Sequence, residues 1–186
     1  RVWLTSVTEQ WAVIAVQGPR AREALAPLVR DIDLDALPHM AVRDGRLLDA
    51  PLRLFRVSFT GELGYEVNVP VNWAEAVFDV IMERARECGG GLYGTEAMHA
   101  LRAEKGFVIV GQETDGTVTP YDAGLDWAVG KKKADFVGKR SLARPDMVVA
   151  DRAQLVGLLT EDPAVVLEEG AQIVGEARPA GHGLDE

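Results

Sequence analysis

Apolar and polar positions change period several times along the chain, and each change marks an element. Residues 11–16, Trp-Ala-Val-Ile-Ala-Val, are a short apolar run rich in β-branched side chains and read as a buried strand. Gly18-Pro19 breaks the run, and Pro19 suits the first turn of a helix that Leu25, Leu28 and Val29 carry to about residue 29. Residues 31–45 read as a loop with one short strand. Residues 52–59 alternate, with Phe55, Val57 and Phe59 on an apolar face and Arg56 and Ser58 opposite. Thr60-Gly61-Glu62-Leu63-Gly64 supplies a five-residue turn, and Tyr65, Val67 and Val69 then alternate with Glu66 and Asn68. The expected hairpin thus has one polar face bearing Arg56, Ser58, Glu66 and Asn68, and Pro70, which has no N–H to donate, ends its ladder.

Helical spacing takes over next. Asn72 and Glu75 have the spacing of a capping box, Trp73, Ala76, Val77, Val80, Ile81 and Cys88 form an apolar stripe, and Gly89-Gly90-Gly91 stops the helix. A second helix is expected from Thr95, with Ala97, Met98 and Leu101 inward and Gly106 as terminator. Residues 107–110 read as a strand, 111–124 as a loop, 127–129 as a short strand, and 136–142 as the approach to a short helix. Beyond Pro145 a strand is expected at 154–160 and the start of a hairpin at 164–170, while 175–186 shows no periodicity. The class is therefore α+β, with antiparallel sheet and flanking helices. Residues 1–146 form one domain, and 147–186 begin a second, β-barrel-like module that is cut short. That reading leaves 154–160 as an exposed sheet edge open to self-association.

Length and composition agree with a packed fold. The 186 residues are 47% hydrophobic and 26% charged. A chain of this size buries roughly 70% of the surface its unfolded form exposes. One cysteine, Cys88, cannot form an internal disulfide and fits a reducing, cytoplasmic setting. No apolar run is long enough to span a membrane, no signal-peptide pattern is present, and the first residue is Arg1, so the chain reads as a segment of something longer. Lys and Arg number 20 against 29 Asp and Glu, and the resulting charge of −9 argues against nucleic acid as a partner. One basic stretch stands out: Lys131, Lys132, Lys133, Lys139 and Arg140 against the single acid Asp135, either a solvated turn or an anion or partner contact.

Several familiar chemistries drop out. The glycine triplet lacks the Lys and Ser/Thr of a phosphate-binding loop, no Ser sits in a Gly-x-Ser-x-Gly elbow, and His39, His99 and His182 have no ligand-spaced partners. What remains is the polar hairpin face. A strand carboxylate such as Glu66 can accept two parallel hydrogen bonds from the N–H/NH₂ edge of a pterin or purine, with aromatic side chains stacking nearby. It can equally pair across the strands with Arg56 on a solvated face. His99 and Arg102 read as helix-surface groups, with Glu96, three positions before His99, as a possible partner.

The segment Thr60-Gly-Glu-Leu-Gly-Tyr-Glu-Val-Asn-Val-Pro70 resembles the Tyr-Thr-Gly-Glu-Asp-Gly-Phe-Glu-Ile stretch of the glycine-cleavage T-proteins, the tetrahydrofolate-dependent aminomethyltransferases. Leu101-Arg-Ala-Glu-Lys-Gly106, Thr119-Pro120, Gly124-Leu-Asp-Trp-Ala-Val129 and Asp135-Phe-Val-Gly-Lys139 are similar to later blocks of that family. Residues 93–106 and 111–120 resemble more narrowly the C-terminal region of the alpha subunits of heterotetrameric sarcosine oxidases. The likeness runs from about Trp3 to Gln172.

This resemblance implies a tetrahydrofolate-binding module in an enzyme whose flavin centre, elsewhere, oxidises sarcosine and hands the one-carbon unit to folate. Glycine, peroxide and 5,10-methylenetetrahydrofolate result, or free formaldehyde when folate is absent. It places the pterin-holding glutamate at Glu66, with Tyr65 and Tyr93 lining the pocket, and assigns this segment no catalytic residue and no metal. FMN, FAD and NAD are implied for the whole enzyme but not for this segment, and beta, gamma and delta subunits are implied as partners. Two departures stand out. The aminomethyltransferases have Arg at Met98 and Asp at His99, and their catalytic aspartate falls before Arg1. An aminomethyltransferase of the glycine cleavage system, or a non-catalytic scaffold docking other subunits, are the alternative readings.

Overall fold

The computed structural model describes residues 1–168 and 170–171. They fall into two compact units, Arg1–Val118 and the part from Thr119 onward. The expected start of a hairpin at 164–170 is partly, and the aperiodic tail at 175–186 wholly, outside the described residues.

The first unit is an antiparallel five-stranded sheet with helices on one face, as the α+β expectation requires. Its strands are β1 (Trp11–Gln17), β2 (Val29–Arg30), β3 (Val42–Leu47), β4 (Ala50–Phe55) and β5 (Gly64–Pro70), in the spatial order β1-β5-β4-β3-β2. β5 therefore lies between β1 and β4. Val16 faces Tyr65, Ile14 faces Val67 and Ala12 faces Val69 on one side of the sheet; Ala15 faces Glu66 and Val13 faces Asn68 on the other. Alternation of period two sends Tyr65, Val67 and Val69 into the core, each fully buried together with Leu25, Leu47, Leu54 and Val77. Over this core pack α1 (Ala21–Leu25), through Ala21, Ala24 and Leu25, and α2 (Ala74–Glu87), through Val77, Ile81 and Met82. A third helix, α3 (Thr95–Lys105), begins where the sequence pattern puts it and ends at Gly106, whose φ of 77° is the left-handed conformation that a C-cap glycine adopts freely.

Several local expectations are corrected. The helix after Gly18-Pro19 is five residues long, and Val29, expected at its end, belongs to β2. β4 starts earlier than expected and ends at Phe55. Its buried positions are Ala50, Leu52 and Leu54, opposite in phase to the expected Phe55-Val57-Phe59 face. The reason lies in residues 56–63, which leave the ladder instead of closing a tight hairpin. A Cβ on Gly61 would collide with the Lys105 side chain, and one on Gly64 with Gln17 and with the Val57 carbonyl, 2.6 Å away. The two glycines of the motif thus let the loop settle against the end of α3 and against β1. α2 is entered through a 3-10 turn, Val71–Trp73, with no side-chain cap, so the Asn72–Glu75 capping box does not form. Residues 107–110 hold only an isolated bridge, Val110 to Thr114.

The second unit is built mainly of turns. Asp126–Ala128 is a 3-10 turn where a strand was expected, and α4 (Lys139–Leu142) is the expected short helix. No strand forms at 154–160, so the sheet edge expected there is absent. Instead Leu155 donates its N–H to the Asp122 carbonyl (2.8 Å), and the Asp122 carboxylate accepts from Arg152 Nη2 (2.6 Å), Arg152 Nε (3.0 Å) and the Thr119 N–H (2.8 Å). This bidentate pair ties the two ends of the unit together. Two members of the basic stretch are engaged internally: Lys131 pairs with Asp126 (2.6 Å), and Lys139 donates to the carbonyls of Lys133 and Ala134. Among the described residues no helix is long and apolar enough to cross a membrane.

Leu54→Ala removes a fully buried side chain between β5 and the helices and should lower the unfolding free energy of the chain by about 3 kcal/mol. Val13→Ala, on the exposed side of β1, should cost under about 0.5 kcal/mol. Urea titration followed by tryptophan fluorescence measures both, and equal losses would mean that the sheet buries the other face.

Candidate functional site

β5 decides which side chains face outward. Glu66 and Asn68 stand on the sheet face away from α1 and α2, beside Ala15 and Val13 of β1 and, by the β4–β5 register, Phe55 and Arg53. Arg53 is committed elsewhere: it pairs with Asp44 (2.8 Å) and lies 5.9 Å from the Trp11 ring centroid. Asn68 is fixed by its side-chain amide, which donates to the Glu66 carbonyl (3.1 Å). Glu66 is half-buried as a residue, and its carboxylate has no hydrogen-bond or ion-pair partner among the described residues.

Arg56, expected beside Glu66, is on the other face. It continues the even-numbered side of β4, and its guanidinium stacks 5.3 Å from the centroid of the buried Tyr65 ring. A cross-strand Glu66–Arg56 pair therefore does not exist. Tyr65 also points into the core, 0% exposed, and its hydroxyl accepts a hydrogen bond from Arg22 Nε (3.1 Å). Of the three residues expected to line a pocket, Tyr65 and Glu66 stand on opposite faces of the sheet, and Tyr93 is near enough to Glu66 to feel its charge. Tyr93 lies in the segment joining α2 to α3. Burial, and then the charge of Glu66, push its phenol above the ordinary value of 10.0, so it remains a neutral donor throughout the physiological range.

Tyr93 also forms part of the wall of a cleft of about 600 Å³, together with Val13 and Ile14 of β1, Met82 of α2, Cys88, and Met98 of α3. The lining is mostly apolar, and its size is within the usual range for a small-molecule site. Cys88, expected as a core residue, is half-buried at this cleft, and its carbonyl accepts from Arg20 (2.6 Å).

One structurally important residue was misread from the sequence. Arg102, expected on the helix surface, is 5% exposed. It reaches Glu113 (2.7 Å) and the Phe107 carbonyl (3.0 Å) and so fastens residues 107–113 to α3. Burial pushes the Glu113 carboxyl upward, but hydrogen bonds from the Ile109 N–H (2.6 Å) and from Arg102, with the charge of Arg102, outweigh it and the net shift is downward. The signal available in advance was the pairing of an arginine in one motif block with a glutamate in the next.

Matching the chain to known families assigns it a class. Residues 1–133 match the GCVT N-terminal domain, and the chain belongs to that family. Within it, the chain is 48% identical over 187 residues to sarcosine oxidase subunit alpha of Corynebacterium sp. (strain U-96), covering 98% of this chain and 19% of that protein. It is 40% identical over 182 residues to sarcosine oxidase subunit alpha of Rhizobium meliloti (strain 1021), covering 96% and 18% respectively. An aminomethyltransferase of Mycobacterium avium (strain 104) is 36% identical over 141 residues, 76% of this chain and 38% of that enzyme. The chain thus spans about a fifth of the length of the sarcosine oxidase alpha relatives it matches.

Glu113 and Asp122 both have folded-state pKa values below their ordinary ones, Asp122 strongly so because of Arg152 and the Thr119 N–H. Each therefore contributes stability that is fully present above its unfolded pKa and is lost as pH falls through the folded value. Stability in urea should be level from pH 7 to about pH 5 and decline below about pH 4. In Arg102→Gln the Glu113 share of that decline should shrink, because the carboxylate keeps the Ile109 N–H but loses the arginine and so has less to lose on protonation. An acid limb identical to that of the unsubstituted chain would show that the pair does not stabilise the fold.

Proposed function

We propose that this chain is the tetrahydrofolate-binding part of a sarcosine oxidase alpha subunit, with Glu66 holding the pterin ring. The observation that carries the reading is Glu66, a half-buried residue on an outward sheet face whose carboxylate has no hydrogen-bond or ion-pair partner among the described residues and whose charge is felt by Tyr93. A buried or half-buried carboxylate normally keeps company with a donor, and the pterin N–H/NH₂ edge offers two in parallel. The residues fit the group. In this reading Glu66 accepts, Tyr93 donates or packs edge-on, and the apolar side chains Val13 and Phe55, on the same sheet face as Glu66, pack against the ring. Tyr65 supports this face from beneath, by holding β5 in the core. In the full enzyme the bound folate supplies an acceptor for the one-carbon unit released when sarcosine is oxidised at a flavin centre.

The higher identity to the sarcosine oxidase alpha subunits favours this reading over a free aminomethyltransferase. So does Met98 at the cleft, where the aminomethyltransferase motif carries an arginine. The same reading extends to FMN, FAD and NAD bound by other parts of the enzyme, to the beta, gamma and delta subunits as partners, to the cytoplasm as location, and to residues 147–186 as the start of a further module.

Glu66→Gln keeps the size of the side chain but turns an N–H₂ donor toward ligand donors. Tetrahydrofolate affinity in the complete enzyme should fall by about 30- to 1,000-fold, or roughly 2–4 kcal/mol. Sarcosine oxidation should continue, with the product shifting from methylenetetrahydrofolate to free formaldehyde. Unchanged affinity and product partition would remove Glu66 from the site.

The 186-residue chain alone should produce no peroxide from sarcosine above a buffer control in an oxidase assay. Sustained sarcosine-dependent peroxide release would contradict the assignment of the flavin chemistry to other parts of the enzyme.

A further inference from the structure

The two edges of the sheet are built differently. At one, β2 is two residues long and ends in Arg30, and β3 beyond it carries Arg43 and Asp44. Short strands and charges are the usual means of keeping a sheet edge from pairing. At the other, β1 runs for seven residues, Trp-Ala-Val-Ile-Ala-Val-Gln, with no charge and no proline. It has none of those protections.

The direction of its backbone groups follows from the register. Gly18 and Leu63 are the next directly opposed pair beyond Gln17 and Gly64, and the Gly18 N–H donates to the Leu63 carbonyl (2.9 Å). Hydrogen-bonded pairs alternate along an antiparallel ladder, so Val16, Ile14 and Ala12 are the pairs that bond to β5. The N–H and C=O groups of Val13, Ala15 and Gln17 then point outward, where no backbone group of the described residues meets them. Along this edge lies the cleft of about 600 Å³, whose far wall is α2 and the segment leading to Tyr93. Phe78 and Leu92 are exposed there, and Val13 is 58% exposed.

An edge with unused ladder groups, set against an apolar wall, is the surface to which an extended segment adds as a further strand. Resting on the reading of this chain as part of a sarcosine oxidase alpha subunit, we propose that the outer edge of β1 receives a strand of the same polypeptide, from the rest of that subunit. Two observations select this occupant. In the sarcosine oxidase alpha relatives the matched region is about a fifth of the polypeptide, so ample chain exists to supply the strand. A second copy is the other simple candidate, but each copy carries a charge of −9, which opposes laying two identical edges together. A strand held in the same polypeptide meets no such barrier, and its effective concentration is high. The strand would contribute three outward ladder positions and one face of apolar side chains toward Phe78, Met82 and Leu92.

Amide hydrogen exchange on the full-length polypeptide, purified without other subunits, tests this. The amides of Val13, Ala15 and Gln17 should exchange about as slowly as those of Ala12, Ile14 and Val16, at least about 100-fold slower than the exposed loop amide of Gly116. Their protection should be independent of protein concentration. Exchange of the three outward amides at the loop rate overturns the proposal. Protection that vanishes on dilution assigns the edge to a second copy, and protection that appears only when other subunits are added assigns it to a partner; either result also overturns it.

Discussion

The two-residue period of β5, held between β1 and β4, is the constraint on which the rest of the first unit depends. Tyr65, Val67 and Val69 go down into the core because Val16, Ile14 and Ala12 on one side and Leu54 on the other offer them apolar partners. Once those three are buried, Glu66 and Asn68 have no freedom to be anywhere but on the opposite face. A slip of one residue would put a carboxylate into the core and expose the valines, a cost the fold does not sustain. The position of the candidate ligand-binding carboxylate is thus a by-product of core packing. The same alternation also explains why Arg56 and Glu66, which share a polar look in the sequence, are on opposite sides of the sheet.

Around that strand, two loops are shaped by close approach. Residues 56–63 fold back onto Lys105 and Gln17, at points where only glycine leaves room, and Thr60 is buried there with its hydroxyl donating to Gln17 (3.3 Å). Residues 107–113 are fastened to α3 by the buried Arg102 and its contact with Glu113. Both loops therefore hang on α3, and the segment carrying Tyr93 leads directly into its first turn. α3 links the motif blocks that the sequence shows as separate, and that link is made by one ion pair and one tight glycine contact.

The second unit is organised on a different principle. With few strands or long helices to hold it, its chain is closed by Asp122, buried and bonded to Arg152, Thr119 and Gln154. A buried carboxylate with this many donors is held ionised far below its ordinary pKa, and the arginine is held with it. Charge pairing does here what a hydrophobic core does in the first unit.

By itself the sequence determined the strands β1 and β5, the bounds of α3, the glycine stops after α2 and α3, the short helix α4, and the outward placement of Glu66 opposite Tyr65 and Val67. Each rests on a local rule: period two, period 3.6, or the freedom of glycine at positive φ. Only the tertiary structure decided the phase of β4, the absence of a capping box at Asn72, and the lack of strands at 107–110 and 154–160, because an alternating or apolar run becomes a strand only where a neighbour offers its ladder. It alone also decided that Arg102 is buried, since its partner Glu113 is eleven residues away and beyond the reach of helical spacing. Likewise Tyr65 and Glu66 are adjacent in the chain and similar in promise, and the pleat of one strand sends the first to the core and the second to the opposite, outward face.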